Sequence, residues 1–312
     1  FPEPEAVAVL LRDGPNRRYV LFCRERDPSM EVWTGRRAGP EGALRDFGAD
    51  EAHSFEELDA VMPELLSGRR RIYYSMGRQP AFDEHLTGWL NEVRRNARGG
   101  ARPPSELFDL DALLHDMRLY KSAAETAAMR HAARISAAAH RRAMQICRPG
   151  MMEYEIEAEL LHEFNRAGAR ATAYPSIVGG GANACVLHYT DNAARLDDGD
   201  LLLIDAGAEY DYYAADITRT FPVNGRFSPA QRAIYDVVLR AQLAAIAQVA
   251  PGRPWNAPHD AAVKVLTQGL VRLGLLKGGV AKLIKDGAYR RYYMHRTGHW
   301  LGMDVHDVGD YK

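Results

Sequence analysis

The stretch LLLIDAGAEYDYYAADITRTF, residues 201–221, carries the strongest structural signal in this chain. Two apolar, β-branched and aromatic runs flank a polar centre, which predicts two strands joined by a tight turn near Tyr210 and Asp211. A two-residue turn at that point places Asp205 and Asp216 directly opposite each other. The continuous apolar run from Leu201 to Ile204 further predicts a strand that is buried on both faces.

Two opposed aspartates need a counterpart for their charge. Directly opposed side chains on antiparallel strands have Cβ atoms roughly 4.5 to 5.5 Å apart, so two carboxylates there repel each other. A shared proton would offset the repulsion, and so would one or two cations of manganese, magnesium, zinc or cobalt. The alternative is a pair of exposed aspartates on a hairpin. Asp205 and Asp216 are therefore candidate metal ligands.

A second polar cluster lies near the end of the sequence. Three histidines, His295, His299 and His306, fall within twelve residues among several glycines. Histidine supplies both metal ligation and proton transfer near neutral pH, so the cluster is a candidate catalytic or metal-binding segment. His188 ends the apolar run Val186–His188, which predicts a strand.

Helix signals surround the two clusters. Ser122 and Glu125 form a capping-box pattern, which predicts a helix running to Cys147 and ended by Pro149-Gly150. A second helix is predicted over 153–167. The same order returns later, with predicted helices over 228–249 and 261–274. The first pair leads into strand-like segments (176–178, 186–188 and 201–221), and the second leads to the His-rich 292–308, which predicts an internal duplication of helix, helix and strands.

Residues 1 to about 105 mix short strands (6–11, 19–23 and 71–75) with a helix near 82–96, a pattern typical of an α/β domain. Glycine and proline over 98–104 predict a linker. The expected organisation is a smaller N-terminal α/β domain, residues 1–110, followed by a catalytic domain, residues 111–312, in an α/β (α+β) fold. Because no methionine precedes Phe1, we expect that the start has been trimmed.

Composition excludes several classes of protein. Forty basic against forty-one acidic residues give a formal net charge of -1, which argues against binding to nucleic acid or an anionic membrane. The sequence has neither a spanning apolar run nor a signal-peptide pattern, so we expect a cytoplasmic protein. Three widely spaced cysteines predict no disulfide framework. The H-E-x-x-H, G-x-S-x-G and Walker A motifs are also missing.

Taken together, these motifs resemble one known family. The segments around Asp205-Ala-Gly, Asp216-Ile-Thr-Arg-Thr-Phe-Pro and His295-x-x-x-His299-Trp-Leu-Gly-x-Asp-Val-His306-Asp are similar to those of the proline-specific pita-bread metallopeptidases, the aminopeptidase P family. The resemblance covers essentially the whole chain. It includes the segments Glu31–Arg37, Met117–Ser122, Cys147–Gly150 and Glu163–Arg166.

The resemblance implies a role for each candidate residue. Asp205 would chelate one of two divalent metal ions, Asp216 would bridge both, and His299 would bind the other. Manganese is the usual metal of the family, with zinc or cobalt as alternatives. His188, His295 and His306 would position substrate and move protons. Tyr174 and Trp33 would line the substrate site, with Trp33 reaching in from a neighbouring subunit of a homo-oligomer, a dimer or tetramer.

The sequence departs from the family pattern in one respect. The family completes its two-metal site with two glutamates downstream of the histidine cluster, whereas the last glutamate here is Glu209. We therefore expect that the C-terminal part of the pita-bread domain lies beyond Lys312. The 312 residues alone are expected to hold metal weakly or not at all.

The resemblance also implies an activity and a substrate. The implied reaction is metal-dependent hydrolysis of the bond between an N-terminal residue and proline, and the implied partners are peptides with proline at the second position. The alternatives are a non-catalytic pita-bread module that binds peptides or proteins, a prolidase-type dipeptidase, and a creatinase-like hydrolase that uses histidine without metal.

Overall fold

The computed structural model describes residues 1–311, and these divide into two compact units. The N-terminal unit is Phe1–Leu114, and the C-terminal unit begins at His115. The predicted domain boundary after residue 110 lies close to this division. A helix runs through the division, so the glycine- and proline-containing segment 98–104 lies within the N-terminal unit.

The N-terminal unit mixes short strands and helices, as expected for an α/β domain. Its elements are β1 (Val7–Asp13), β2 (Asn16–Cys23), α1 (Pro28–Thr34), α2 (Gly39–Asp46), β3 (Glu51–Ser54), α3 (Leu58–Leu66), β4 (Arg71–Tyr73), α4 (Pro80–Arg95) and β5 (Glu106–Phe108), with α5 (Asp111–Leu119) crossing into the second unit. Strands β1 and β2 form an antiparallel hairpin, and β3 pairs with β2 in parallel. Buried side chains of β2, α3 and α4 form the core of this unit.

The C-terminal unit begins with two long helices that pack together and against strands. Its elements are α6 (Ala123–Ile146), α7 (Glu153–Arg166), β6 (Ala171–Thr172), β7 (Ile177–Gly180), β8 (Leu201–Asp205), β9 (Ala208–Tyr210), β10 (Tyr213–Ala214), β11 (Thr218–Pro222), α8 (Pro229–Ile246), α9 (Ala257–Arg272) and α10 (Val280–Lys285). The strands form two small antiparallel sheets with the orders β10-β9-β6 and β11-β8-β7. These helix positions confirm the predicted helix pairs.

The start of α6 confirms the capping-box prediction. The Ser122 hydroxyl accepts the Glu125 N–H at 3.3 Å, and the Glu125 carboxylate accepts the Ser122 N–H at 2.7 Å. Two amides that lack helical partners are thereby satisfied. Farther along α6, buried Ser136 accepts the Ala208 N–H at 2.9 Å, so the helix is bonded directly to β9. The backbone beside the candidate site is thus anchored to the longest helix.

Strands β8–β11 form one antiparallel ribbon, but its register differs from the prediction. Asp205 pairs with Thr218 rather than with Asp216. The turn is centred on Asp211 and Tyr212, which both have positive φ, 51° and 67°. Positive φ at both central residues is the property of type I′ turns, which fit the right-handed twist of a hairpin. The turn therefore lies one residue later than predicted, and the pairing moves by two residues.

A two-residue shift keeps Asp205 and Asp216 on the same face of the ribbon, because side chains alternate with a period of two. The two aspartates are diagonal neighbours instead of directly opposed ones. Burial along β8 also differs from expectation. Leu202 and Ile204 are fully buried, whereas Leu201 and Leu203 are only partly buried, so the strand is not covered equally on both faces.

Two other strand predictions are wrong. Val186–His188 is not a strand: a short 3-10 helical turn covers Gly181–Cys185, and Val186 and Leu187 are more than half exposed in the irregular segment that follows. No strand forms over 292–308 either, so within residues 1–311 the predicted duplication is seen in the two helix pairs and not in a second set of strands. In the part of the chain that the structure describes, no helix combines the length and apolar character needed to cross a bilayer.

Candidate metal and catalytic site

Tyr174 connects the two candidate aspartates. Its hydroxyl oxygen lies 2.5 Å from Asp205 Oδ1 and 3.0 Å from Asp216 Oδ1. The tyrosine follows β6, while the aspartates lie at the end of β8 and just before β11. A hydroxyl has one hydrogen to donate, so a single proton lies between two carboxylates. The backbone therefore brings both carboxylates to one point, as the sequence predicts.

His299 reaches the same point although it lies 83 residues after Asp216 in the sequence. Its Nε2 atom lies 3.0 Å from Asp216 Oδ2, and its Nδ1 atom lies 2.8 Å from the carbonyl oxygen of Trp300. Because Nδ1 faces a carbonyl oxygen, it carries a proton. In a neutral imidazole this leaves Nε2 free, which is the arrangement found in histidines that bind metals.

The pKa is raised for Asp205, His299 and Tyr174 and lowered for Asp216. Burial raises the pKa of Asp205, and the nearby Asp216 charge adds to that effect. The hydrogen bond from His299 lowers the pKa of Asp216, and the same bond raises the pKa of His299. Burial, followed by the charge of Asp205, raises the pKa of Tyr174 above that of an ordinary tyrosine. The bond between them therefore favours the ionised form of Asp216 and the protonated form of His299.

The two aspartates and Tyr174 line a cavity of about 560 Å³ together with two of the predicted histidines, His188 and His306. Sequence reasoning missed other residues that line it, among them Ile177, Thr190, Glu209, Met303 and Val305. Glu209 lies four residues after Asp205 in the same ribbon, on the same face. Alternation along the ribbon was the signal that could have found it.

Buried Glu153 holds the segment that carries His188. Its carboxylate accepts N–H groups of Gly180 and Ala194, both at 2.8 Å, the Tyr189 hydroxyl at 2.7 Å and the Asn183 amide at 3.1 Å. Burial raises the pKa of Glu153, but these hydrogen bonds outweigh it, and the pKa lies below its ordinary value. The carboxylate is therefore ionised and fixes the irregular backbone on both sides of His188.

The other three candidate residues, His306, His295 and Trp33, have different surroundings. The His306 ring lies beside that of His299, with ring centres 4.3 Å apart and planes at 70°. His295 is exposed, its Nδ1 atom lies 2.8 Å from the Arg296 carbonyl oxygen, and it is not among the residues that line the cavity. Trp33 lies on α1 of the N-terminal unit and is 83% exposed.

The donors fit a divalent cation in chemical type. Two carboxylates and an imidazole nitrogen are oxygen and nitrogen ligands that manganese, zinc and cobalt accept. They are linked through Tyr174 and through the bond between Asp216 and His299. Across residues 1–311, no group of three or more histidine, cysteine, aspartate or glutamate side chains is arranged as a metal-binding cluster. Asp216 and His299 satisfy each other instead.

Comparisons with known proteins identify the family of the chain. Residues 127–312 match the family model described as metallopeptidase family M24, and residues 1–73 match the model described as the aminopeptidase P N-terminal domain. The Xaa-Pro aminopeptidase of Escherichia coli strain K12 is 46% identical over 312 residues, which are all of this chain and 71% of the relative.

Solved structures of aminopeptidase P have the same fold as this chain. Aminopeptidase PepP of Pseudomonas aeruginosa superimposes with a TM-score of 0.98 at 58% identity, over all of this chain and 71% of that one. A zinc-substituted aminopeptidase P of Escherichia coli, solved in complex with product, gives a TM-score of 0.98 at 46% identity with the same coverage.

Proposed function

The chain belongs to metallopeptidase family M24, and we propose that it removes the N-terminal residue from peptides that have proline at the second position, in a metal-dependent reaction. It is an enzyme of the Xaa-Pro aminopeptidase class with a pita-bread catalytic domain. The observation that carries the proposal is the meeting of Asp205 and Asp216 at the Tyr174 hydroxyl, with His299 bonded to Asp216.

We propose that Asp205, Asp216 and His299 hold divalent metal ions, two in the complete site, and that manganese is the physiological metal. When bound, such ions polarise the scissile carbonyl and lower the pKa of a bound water. Tyr174 supports this role because its hydroxyl keeps the two carboxylates turned toward each other. The Trp300 carbonyl supports it by keeping the proton of His299 on Nδ1.

The histidines that line the cavity are suited to proton transfer and to charge stabilisation. His188 is held by a rigid segment around Glu153 and faces the cavity that contains both aspartates. We propose that it donates a hydrogen bond to the oxyanion that develops on the scissile carbonyl. His306, beside His299, would move protons to or from the substrate. His295, exposed near the same segment, would act at the outer edge of the substrate.

Selection of proline follows from shape and not from a hydrogen bond at the scissile nitrogen. The bond before proline is a tertiary amide, so its nitrogen has no hydrogen to donate. The cavity offers apolar surface from Ile177, Met303 and Val305 beside its polar groups. We propose that this surface and Tyr174 receive the proline ring, while the aspartate end receives the free N-terminal amine.

We also propose that the enzyme is a cytoplasmic homo-oligomer, a dimer or tetramer, in which Trp33 extends the substrate site of a neighbouring subunit. An indole that is 83% exposed supports a contact outside its own chain, because large exposed aromatics are common at protein interfaces. All three cysteines are unpaired, which agrees with a reducing compartment. Analytical ultracentrifugation, with and without Trp33→Ala, tests the assembly.

The ligand assignment is tested by Asp216→Ala in the full-length polypeptide. We expect hydrolysis of an Xaa-Pro tripeptide to fall by at least about a thousandfold, since both the metal and the activated water depend on this carboxylate. Asp197→Ala is the matched control, because the Asp197 side chain is 70% exposed and forms an ion pair with Arg195 at 3.5 Å on the surface. Activity of Asp216→Ala within a few-fold of the parent would refute the assignment.

The same preparations separate the alternatives. A non-catalytic module would bind peptides without releasing the first residue. A prolidase-type dipeptidase would cleave an Xaa-Pro dipeptide and leave the tripeptide intact.

A further inference from the structure

A buried cluster of charges lies behind the histidine segment. The carboxylate of Asp307 is 1% exposed and is approached by two cations, Arg118 Nη2 at 2.5 Å and Lys121 Nζ at 3.0 Å. Arg118 also bonds Asp304 at 2.7 Å. The two cations come from the end of α5 and from the residue before the Ser122 cap of α6. They are separated from the aspartates by more than 180 residues of sequence.

Asp307 is ionised in this surrounding. Burial raises the pKa of its carboxyl. The hydrogen bond from Lys121 and the positive charges of Lys121 and Arg118 lower the pKa by more than burial raises it, so the pKa lies below its ordinary value. A buried carboxylate without cations would bear the full cost of losing its hydration. The two cations are therefore what allows a charge to exist at this position.

Close packing against the backbone of Gly302 also confines this carboxylate. A Cβ atom on Gly302 would lie 2.0 Å from Asp307 Oδ2 and 3.0 Å from Lys121 Cε. The Gly302 carbonyl accepts the Ala214 N–H at 2.8 Å, and the Asp307 N–H donates to the Trp300 carbonyl at 3.1 Å. Asp307 is thus fixed between the start of α6 and the ribbon that carries Asp216.

We propose that Asp307, held by Arg118 and Lys121, is a positioning residue that sets the orientation of His299 and His306 toward Asp216. It immediately follows His306, and it bonds the carbonyl of Trp300, which also fixes Nδ1 of His299. The orientation of each ring is therefore coupled to the ion pairs through one or two covalent or hydrogen-bonded steps. The inference rests on the proposed function of these histidines and gives the Met117–Ser122 segment a task at the site.

Spectroscopy of the histidine rings tests the proposal without requiring activity. The sample is the metal-free full-length polypeptide labelled with ¹⁵N-histidine, with the ring signals of His299 and His306 assigned from single-histidine variants. Lys121→Met removes one cation and keeps most of the side-chain volume. Lys282→Met is the matched control, because it removes the same group from an exposed ion pair between Lys282 on α10 and Asp286 just after that helix.

We expect Lys121→Met to move the His299 and His306 signals and Lys282→Met to leave them in place. With metal bound, we expect Lys121→Met to lower kcat for an Xaa-Pro tripeptide by about tenfold to a hundredfold, with little change in KM. If Lys121→Met fails to fold, Gly302→Ala serves instead, since it displaces Asp307 without removing any charge. Histidine signals in the folded variant that coincide with those of the parent would overturn the proposal.

The proposed peptidase activity and the positioning role of Asp307 can be refuted separately. If the parent lacks Xaa-Pro hydrolysis, the proposed function fails, while the ring signals still report whether the ion pairs position the histidines. If the parent is active and the folded variant has both parental ring signals and parental kcat, only the positioning role fails.

Discussion

Gly207 passes so close to Ala215 that a Cβ atom on the glycine would lie 1.7 Å from the Ala215 carbonyl oxygen. The same atom would lie 3.1 Å from the Tyr174 ring. The glycine stands between Asp205 and Glu209, and Ala215 precedes Asp216. The absence of a side chain at residue 207 is therefore what lets the two strands and Tyr174 meet around the carboxylates.

Gly207→Ala should consequently destabilise the C-terminal unit. The added methyl group meets backbone, which cannot move aside as a side chain can, so we expect a loss of about 3 kcal/mol in the free energy of unfolding. Chemical denaturation measured by circular dichroism gives this value. Gly279→Ala is the control, because the space around that glycine is open and its φ of -71° suits alanine. Equal stability of the two variants would contradict the packing argument.

Tyr174→Phe should weaken metal binding and hydrolysis while leaving the fold intact. The variant keeps the ring and removes the hydroxyl that contacts both aspartates, so the carboxylates lose the group that orients them. We expect a loss of about tenfold in Mn²⁺ affinity or in kcat. Titration calorimetry and tripeptide hydrolysis measure the two quantities. Tyr154→Phe, at a tyrosine that is 53% exposed on α7, should change neither.

The stability of the protein should fall in acid because of Glu153. Its pKa in the folded chain lies below the ordinary 4.5, so its contribution is complete above that pH and is lost as the pH falls through the lower, folded-state value. Glu153→Gln should reduce this acid dependence. It should also lose about 3 kcal/mol at pH 7, because an amide nitrogen would face the N–H of Ala194. Thermal unfolding between pH 3 and 7, chosen as roughly the span of carboxyl titration, measures both effects. An unchanged profile would show that Glu153 carries no charge in the folded chain.

Metal removal should abolish activity and lower thermal stability together. We expect a chelator to stop tripeptide hydrolysis and added Mn²⁺ to restore it. A ligand that binds only the folded state raises stability by about 2.7 kcal/mol at a hundred times its dissociation constant. The melting temperature of the full-length parent should therefore rise with Mn²⁺, and that of Asp216→Ala should not. A metal-induced rise of equal size in both proteins would place the metal elsewhere.

Local sequence signals predicted the helices better than they predicted the ribbon. The capping box at Ser122 and the serine and proline at 228–229 located the starts of α6 and α8, because these signals act within one helical turn. The hairpin depended on which two residues form its turn. Asp211 and Tyr212 adopt positive φ without being glycine, so composition gave no clear centre.

Asp205 and Asp216 lie close together despite the error in the predicted register, for a physical reason. Strand side chains alternate in direction, so a register error of two residues keeps Asp205 and Asp216 on the same face. The strand prediction for 186–188 was wrong because it assumed that the apolar side chains are buried. Val186 and Leu187 instead lie exposed beside the 3-10 turn. The ion pairs of Asp307 could not be predicted at all, since nothing local indicates a partner so far away in sequence.

That distance has a consequence for the kinetics of folding. Arg118 and Asp307 lie 189 residues apart, whereas the capping box of α6 spans only three. Closing a long loop costs entropy before its contacts return any energy, so such contacts form late. During refolding, we expect far-ultraviolet ellipticity to recover first and peptide hydrolysis to appear only after a lag.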